Sequence, residues 1–244
     1  MAVRGENSLY FATGLDNSGL QSGVGDAVGL VQGLAGSISK INPFAILATG
    51  AITAFATIAK SAYDMMRDFE QAMKEVETIS KAAQEDFKGI SKEVFALSEI
   101  SPDAPVELAK AYYQIVSAGY DGAKGLKLLE TATKAATAGV TDTKTAADGI
   151  TTVLNAFKIS AEEADRVADI MFNTVKLGKT TFEELSSQLS QVAPLAAASG
   201  FSFEEVAAAV ASLTKQGTPT AQAMTQIRSA IEATTEVLGD GAAK

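Results

Sequence analysis

A chain of 244 residues is long enough to bury one or two substantial cores without a disulfide or a metal to hold it. It contains no cysteine, histidine or tryptophan, which excludes disulfides, thiolate nucleophiles, thiolate zinc sites, Ser-His dyads and any side chain that titrates near neutrality by default. The 20 basic and 29 acidic residues leave a formal net charge of −9, the wrong sign for holding nucleic-acid phosphates on a basic surface.

The first residues, Met1-Ala2-Val3-Arg4, are not followed by a continuous apolar core, so the start does not read as a secretory signal and a cytosolic origin is expected. Residues 1–42 are Gly-rich: Leu9–Leu15 could form one short strand, and Asp16-Asn17-Ser18-Gly19 is a turn or helix cap. Val24, Val28, Val31, Leu34, Ile38 and Ile41 then recur at helical spacing. Each glycine within such a helix costs up to about 1 kcal/mol against Ala, so this helix is expected to need a partner.

Residues 43–66 are expected to form an apolar, Ala-rich helix with Phe44, Ile46, Leu47, Ile52, Phe55 and Ile58 as its bulk. No residue from Ile41 to Ala59 is charged, and at about 1.5 Å per residue this stretch would nearly cross a bilayer core. Its many Ala, Thr and Gly residues and Asn42 favour instead a buried or self-associating helix in the bundle.

Residues 67–100 read as a longer amphipathic, coiled-coil-like helix. Phe69, Met73, Val76, Ile79, Ala83, Phe87, Ile90, Val94 and Leu97 recur at a mean spacing of 3.5 residues, the period of a self-association seam. Gly89 and two successive four-residue steps make the seam imperfect, and an ordinary amphipathic helix docked on its own domain is the competing reading. Ser101-Pro102-Asp103-Ala104-Pro105 ends the helix, since Pro disfavours helix at the preceding residue and suits the first turn of the next.

Residues 101–244 then carry one repeated mark, a helix stop followed at once by a helix start, roughly every 20 residues. It occurs at Gly119-Tyr120-Asp121, Gly139-Val140-Thr141, Lys158-Ile159-Ser160, Gly178-Lys179-Thr180-Thr181, Gly200-Phe201-Ser202 and Gly217-Thr218-Pro219. The Gly suits the left-handed residue that closes a helix, an apolar residue can then pack as a staple, and a Ser, Thr or Asp caps the next helix. The expected class is therefore all-α, an array of short antiparallel helices at about 105–118, 122–138, 143–157, 161–177, 182–199, 203–216 and 220–238.

Three glutamate pairs invite an acid-base reading, but each follows a cap residue: Ser160 with Glu163, Thr181 with Glu184 and Ser202 with Glu205. The third residue after a cap can return a bond to the cap amide, and carboxylates favour the positive end of a helix. Asp142–Gly149 lacks the alternating ligands of a calcium loop, and Gly122-Ala123-Lys124-Gly125 lacks the spacing of a phosphate loop. No catalytic, metal or cofactor site is expected, and a carboxylate-only enzyme ranks last.

The order and spacing of several segments resemble the N-terminal conserved region of phage tail tape-measure proteins, over residues 67–238. They include Phe69-Glu70-Gln71-Ala72-Met73, Ala111–Tyr120, Leu128-Leu129-Glu130, Thr152–Phe157 and Ala193-Pro194-Leu195-Ala196-Ala197. The resemblance implies a virion protein of the tail lumen, present in the bacterial host cytoplasm during assembly. It would set tail length, nucleate tube assembly with chaperones, associate with tail tube proteins, and leave during genome ejection, when its apolar helices could meet a membrane; association of the chain with itself is expected from the seam at 67–98. Two alternatives remain at this stage: a membrane-active helical protein inserting residues 41–66, and a cytosolic helical-repeat adaptor.

Overall fold

The computed structural model describes residues 45–242, with side chains placed for residues 60–235. The expected strand and stripe of residues 1–42, Phe44, and the side chains of Ile46, Leu47, Ile52, Phe55 and Ile58 lie outside what is described. Among the described residues every element is helical.

Helix α1 runs from Ala45 to Glu77, joining the apolar stretch and the first part of the amphipathic one into a single rod of 33 residues. Two short helices follow, α2 (Lys81–Glu85) and α3 (Phe87–Ala96), with a 3-10 turn at Leu97–Glu99. Next come α4 (Pro105–Ser117), α5 (Gly122–Gly139) and α6 (Thr143–Phe157). A 3-10 turn at Ala161–Glu163 leads into α7 (Ala164–Leu177), and α8 (Phe182–Gln188) and α9 (Ala193–Ala198) are divided by another at Leu189–Gln191. Helices α10 (Phe203–Lys215) and α11 (Thr220–Ala242) complete the order.

The expected unbroken helix over 67–100 is corrected here, because it is interrupted twice. Ser80 takes an extended conformation and its hydroxyl accepts the Ala83 amide, which ends α1 and starts α2. Asp86 accepts the Gly89 amide at 2.9 Å and starts α3. The stripe persists across both breaks because each piece still faces one core. Phe69, Met73, Val76, Ala83, Ile90 and Val94 are buried, Phe87 and Leu97 are half-buried, and Ile79 at the first break is 40% exposed. Phe69 and Phe95 meet edge to face with ring centroids 5.4 Å apart. Packing within one chain thus accounts for the burial of most of this seam.

The short loops turn the chain back after each helix, and helices two apart in sequence lie side by side. One layer is α1, α4, α6, the α8–α9 pair and α11, each packed on its predecessor in that order. The other is α2–α3, α5, α7 and α10. Between the layers lie Leu108, Tyr112, Leu128, Ile150, Leu154, Met171, Phe182 and Phe203, all fully buried. The result is a two-layered helical stack of the solenoid kind, in which each helix touches mainly its neighbours.

The loop chemistry mostly follows the punctuation. Gly119, Gly200 and Gly217 have positive φ, and Lys158 takes the left-handed close at φ 55°. Two positions differ. Gly139 is the last helical residue, where a Cβ would lie 2.8 Å from that of Phe182, and Val140 takes the left-handed role at φ 53°. Gly178 is extended instead, and a Cβ there would meet Thr214 Oγ1 at 2.5 Å and Ala211 Cα at 3.0 Å.

Candidate functional site

The polar groups that the helices place together lie at the ends of the rods, and they join one layer position to the next. Asp121 starts α5, where one carboxylate oxygen accepts the Gly122 amide at 2.8 Å and the Ser80 hydroxyl at 2.6 Å. Its other oxygen accepts the Ala82 amide at 3.2 Å, so one side chain serves the N-termini of both α2 and α5. Burial alone would raise the Asp121 pKa, but the Ser80 hydroxyl and the surrounding amides hold it below the ordinary carboxylate value. Asp103 accepts the Thr143 amide at 2.6 Å, serving the start of α6. At the start of α11, Thr220 donates to Glu184 at 2.7 Å and its hydroxyl lies 2.8 Å from that of Thr180.

These ties span similar stretches of chain: Ser80 to Asp121 is 41 residues, and Asp103 to Thr143 and Thr180 to Thr220 are 40 each. Two consecutive helices make one repeat, so the partner for a helix end lies one repeat away. An ion-pair ladder runs along the second layer in the same manner, with Lys124 to Glu162 between α5 and the 3-10 turn before α7, Lys127 to Asp165 between α5 and α7, and Arg166 to Glu204 between α7 and α10. These pairs are exposed and individually contribute little.

The three cap pairs differ in geometry. Ser202 and Glu205 form the full reciprocal box, with the Glu205 amide donating to the Ser202 hydroxyl at 3.3 Å and the Ser202 amide donating to Glu205 at 2.8 Å. Thr181 accepts the Glu184 amide at 3.1 Å, while the Glu184 carboxylate reaches across to Thr220 rather than back. At Ser160 the expected cap is not formed: a 3-10 turn intervenes, the hydroxyl donates to Glu162, and Glu163 pairs with Arg166. The staples made by Asp103, Asp121 and the Glu184 carboxylate were not anticipated from the sequence, where each looked like a local cap or turn residue.

Two buried polar groups stand apart from these ties. Glu70 on α1 has a side chain only 5% exposed and 3.4 Å from Lys74, and its Oε2 has no partner. Burial raises its pKa despite that lysine. Tyr112 on α4 is fully buried, and desolvation, with the Asp121 charge nearby, pushes its pKa up to about 12. A tyrosine so held stays protonated and inert at physiological pH. Among the described residues no group of His, Cys, Asp or Glu could hold a metal ion. Among the described residues, no helix is long and apolar enough to cross a membrane.

A concavity lies at the end of the described stack, a groove of about 560 Å³ between α10 and α11. Val206, Ala209 and Leu213 line it from one helix and Ile227 and Ile231 from the other, with Phe201 at its end. Its lining is mostly apolar, with Glu205, Ser212, Gln226 and Thr234 as its polar members.

Comparison with known proteins identifies the family of the chain. A family model described as phage-related minor tail protein matches residues 91–244. The chain is 35% identical over 171 residues to a probable tape measure protein of Clostridium phage phiCD119, a match covering 68% of this chain and 18% of that protein. It is 24% identical over 164 residues to the tape measure protein of Pneumococcus phage Dp-1, covering 67% of this chain and 14% of that one. The chain therefore matches less than a fifth of the length of these curated relatives. No solved structure matches it. With most of its length covered by that family model, and with tape measure proteins among its relatives, the chain belongs to the phage-related minor tail proteins.

Proposed function

We propose that this chain is a structural component of a phage or prophage-derived tail, of the tape-measure type, acting in tail tube assembly and without catalytic activity. The observation that carries the reading is the family match, which extends from α3 through every later helix of the stack. The proposal places the protein in the tail lumen of the virion, and in the host cytoplasm while tails are being built. Tail tube proteins, assembly chaperones and further copies of the chain are its partners.

Length determination by extension is not a property of the stack itself. A single helix of 244 residues would reach about 366 Å, whereas the longest helix described, α1 with 33 residues, reaches about 50 Å. We assign to these residues the part of the task that needs a compact body: holding partners at the start of tube growth. Departure during genome ejection, with membrane contact through the uncharged stretch 41–59, is the accompanying proposal for the infecting particle.

The test is to delete the gene from its phage or prophage and to examine induced lysates by electron microscopy. Absent or disordered tails, restored by the wild-type gene in trans, are the expected result. Normal tails of normal length in the deletion would overturn the proposal.

A further inference from the structure

The apolar residues of the loops differ between the two edges of the stack. Hydrogen bonds set the loops after α3, α5, α7 and α10 side by side along one edge: the Thr137 hydroxyl lies 3.3 Å from the Ile100 carbonyl, the Thr143 amide donates to Asp103, and the Lys179 amide donates to Thr214. The loops after α1, α4, α6 and α9 lie along the other. On that second edge Tyr120, Ile159 and Phe201 are half-buried and pack against the core. On the first edge Ile100, Val140 and Leu177 stand exposed, Val140 to 90%. Met65 joins them, one turn before Phe69, whose ring meets Phe95 at the end of α3. Four of the five exposed large apolar side chains among the described residues thus form one row. Val140 holds its place there at φ 53°, a conformation costly to a β-branched residue and free to Gly. The turn itself gains nothing from that side chain.

The way the chain enters the stack selects what covers the row. Helix α1 runs parallel to α4, because Asp121, just past the end of α4, holds Ser80 and Ala82, just past the end of α1. The N-terminal half of α1 therefore leaves the stack at the edge that carries the row, and Ala45 stands about 30 Å beyond Met65 at 1.5 Å per residue. The residues between Leu15 and Ala45 span about 45 Å even if wholly helical, enough to bring Leu9–Leu15 back to the edge. In the extended form expected of it, Leu9–Leu15 reaches about 20 Å. From Ile100 to Leu177 the row crosses two helix spacings of about 10 Å, the same length. The segment is uncharged and carries Leu9, Tyr10, Phe11 and Leu15.

We propose that Leu9–Leu15 of the same chain docks along Ile100, Val140 and Leu177, with Leu15 at the Ile100 end, nearest α1. The segment shields the row from water and ties the entry of the chain across three helix pairs. This inference goes beyond the tail role: it concerns the stack and its own N-terminal segment, and a tail-assembly phenotype neither supports nor removes it.

Because the chain has no cysteine, a single introduced thiol reports on one position. In the full chain, Val140→Cys and Leu177→Cys should each react with a maleimide at least about tenfold more slowly than Ile79→Cys on the other edge, although Ile79 is the least exposed of the three in the stack. Adding Phe11→Asp should remove that protection and leave the helicity unchanged by circular dichroism, since Phe11 is no part of the stack. A chain carrying Leu9→Cys and Leu177→Cys should close an intramolecular disulfide under mild oxidation, whereas one carrying Leu9→Cys and Ile79→Cys should not. Thiols on the row as reactive as their exposure in the stack allows, or protection indifferent to Phe11→Asp, would overturn the proposal. So would protection that grows with protein concentration, since a second copy would then be the occupant.

Discussion

At Gly149, in the middle of α6, the helices α6 and α8 of the first layer approach closely. A Cβ there would lie 2.6 Å from Ser186 Oγ, 2.7 Å from its Cβ and 2.9 Å from its Cα on α8. The hydroxyl can rotate away but the Cα cannot, so Gly149→Ala must push α8 outward. Overpacking of this kind costs about 1–3 kcal/mol, and a clash that reaches backbone belongs to the upper part of that range, about 2–3 kcal/mol, against a gain of about 1 kcal/mol from replacing Gly by Ala in a helix interior. The net expectation is a loss of about 1–2 kcal/mol and a Tm lower by about 2–8 °C. Urea unfolding followed by circular dichroism, with calorimetry for Tm, measures both. Ser186→Gly should recover part of the loss in a double-mutant cycle, since it removes two of the three close atoms. A Gly149→Ala chain as stable as the wild type, or more so, would mean that α6 and α8 do not touch as described, and the layer assignment would fall with it.

Asp121→Ala strips an acceptor from Ser80, Ala82 and Gly122 together and should cost about 2–3 kcal/mol at neutral pH. Because its folded pKa is depressed, that stabilisation is complete above the ordinary value of 3.8 and is lost as pH falls through the folded pKa, so wild type and variant should converge in strong acid. Glu70→Gln has the opposite sign: its raised folded pKa means the ionised native form is penalised above that pKa, and wild-type stability rises as pH falls through it toward 4.5. The Gln variant should be about 1 kcal/mol more stable at neutral pH and lack that rise, as equilibrium unfolding at several pH values would show. Ser202→Ala should cost about 1 kcal/mol, whereas Ser160→Ala, which removes no cap bond, should stay within about 0.5 kcal/mol in the same assay.

The helix order after residue 101 was legible because stop and start signals are local: a left-handed residue, a staple and a cap lie within four positions. A cap residue stands at Ser80 and again at Asp86, but no glycine stop precedes either, and the apolar period runs on across both. A helix broken twice and still facing one core preserves that period, so spacing alone could not separate a seam between copies from the inner face of a domain. The ties from Asp121 to Ser80 and from Glu184 to Thr220 were not legible either. They join residues about 40 positions apart whose local chemistry is already satisfied by a capping role, and nothing in either segment marks the other. Membership of a layer belongs to the same class, being set by which helix the chain returns to.

That interval gives the fold a parity. Adding or removing one helix pair, roughly 40 residues, would leave every later rod in its own layer and each end tie facing a counterpart of the same kind. An insertion half that size would send all that follow to the opposite side, exposing their greasy faces to water. Natural or engineered length variants of this region should therefore come in whole pairs.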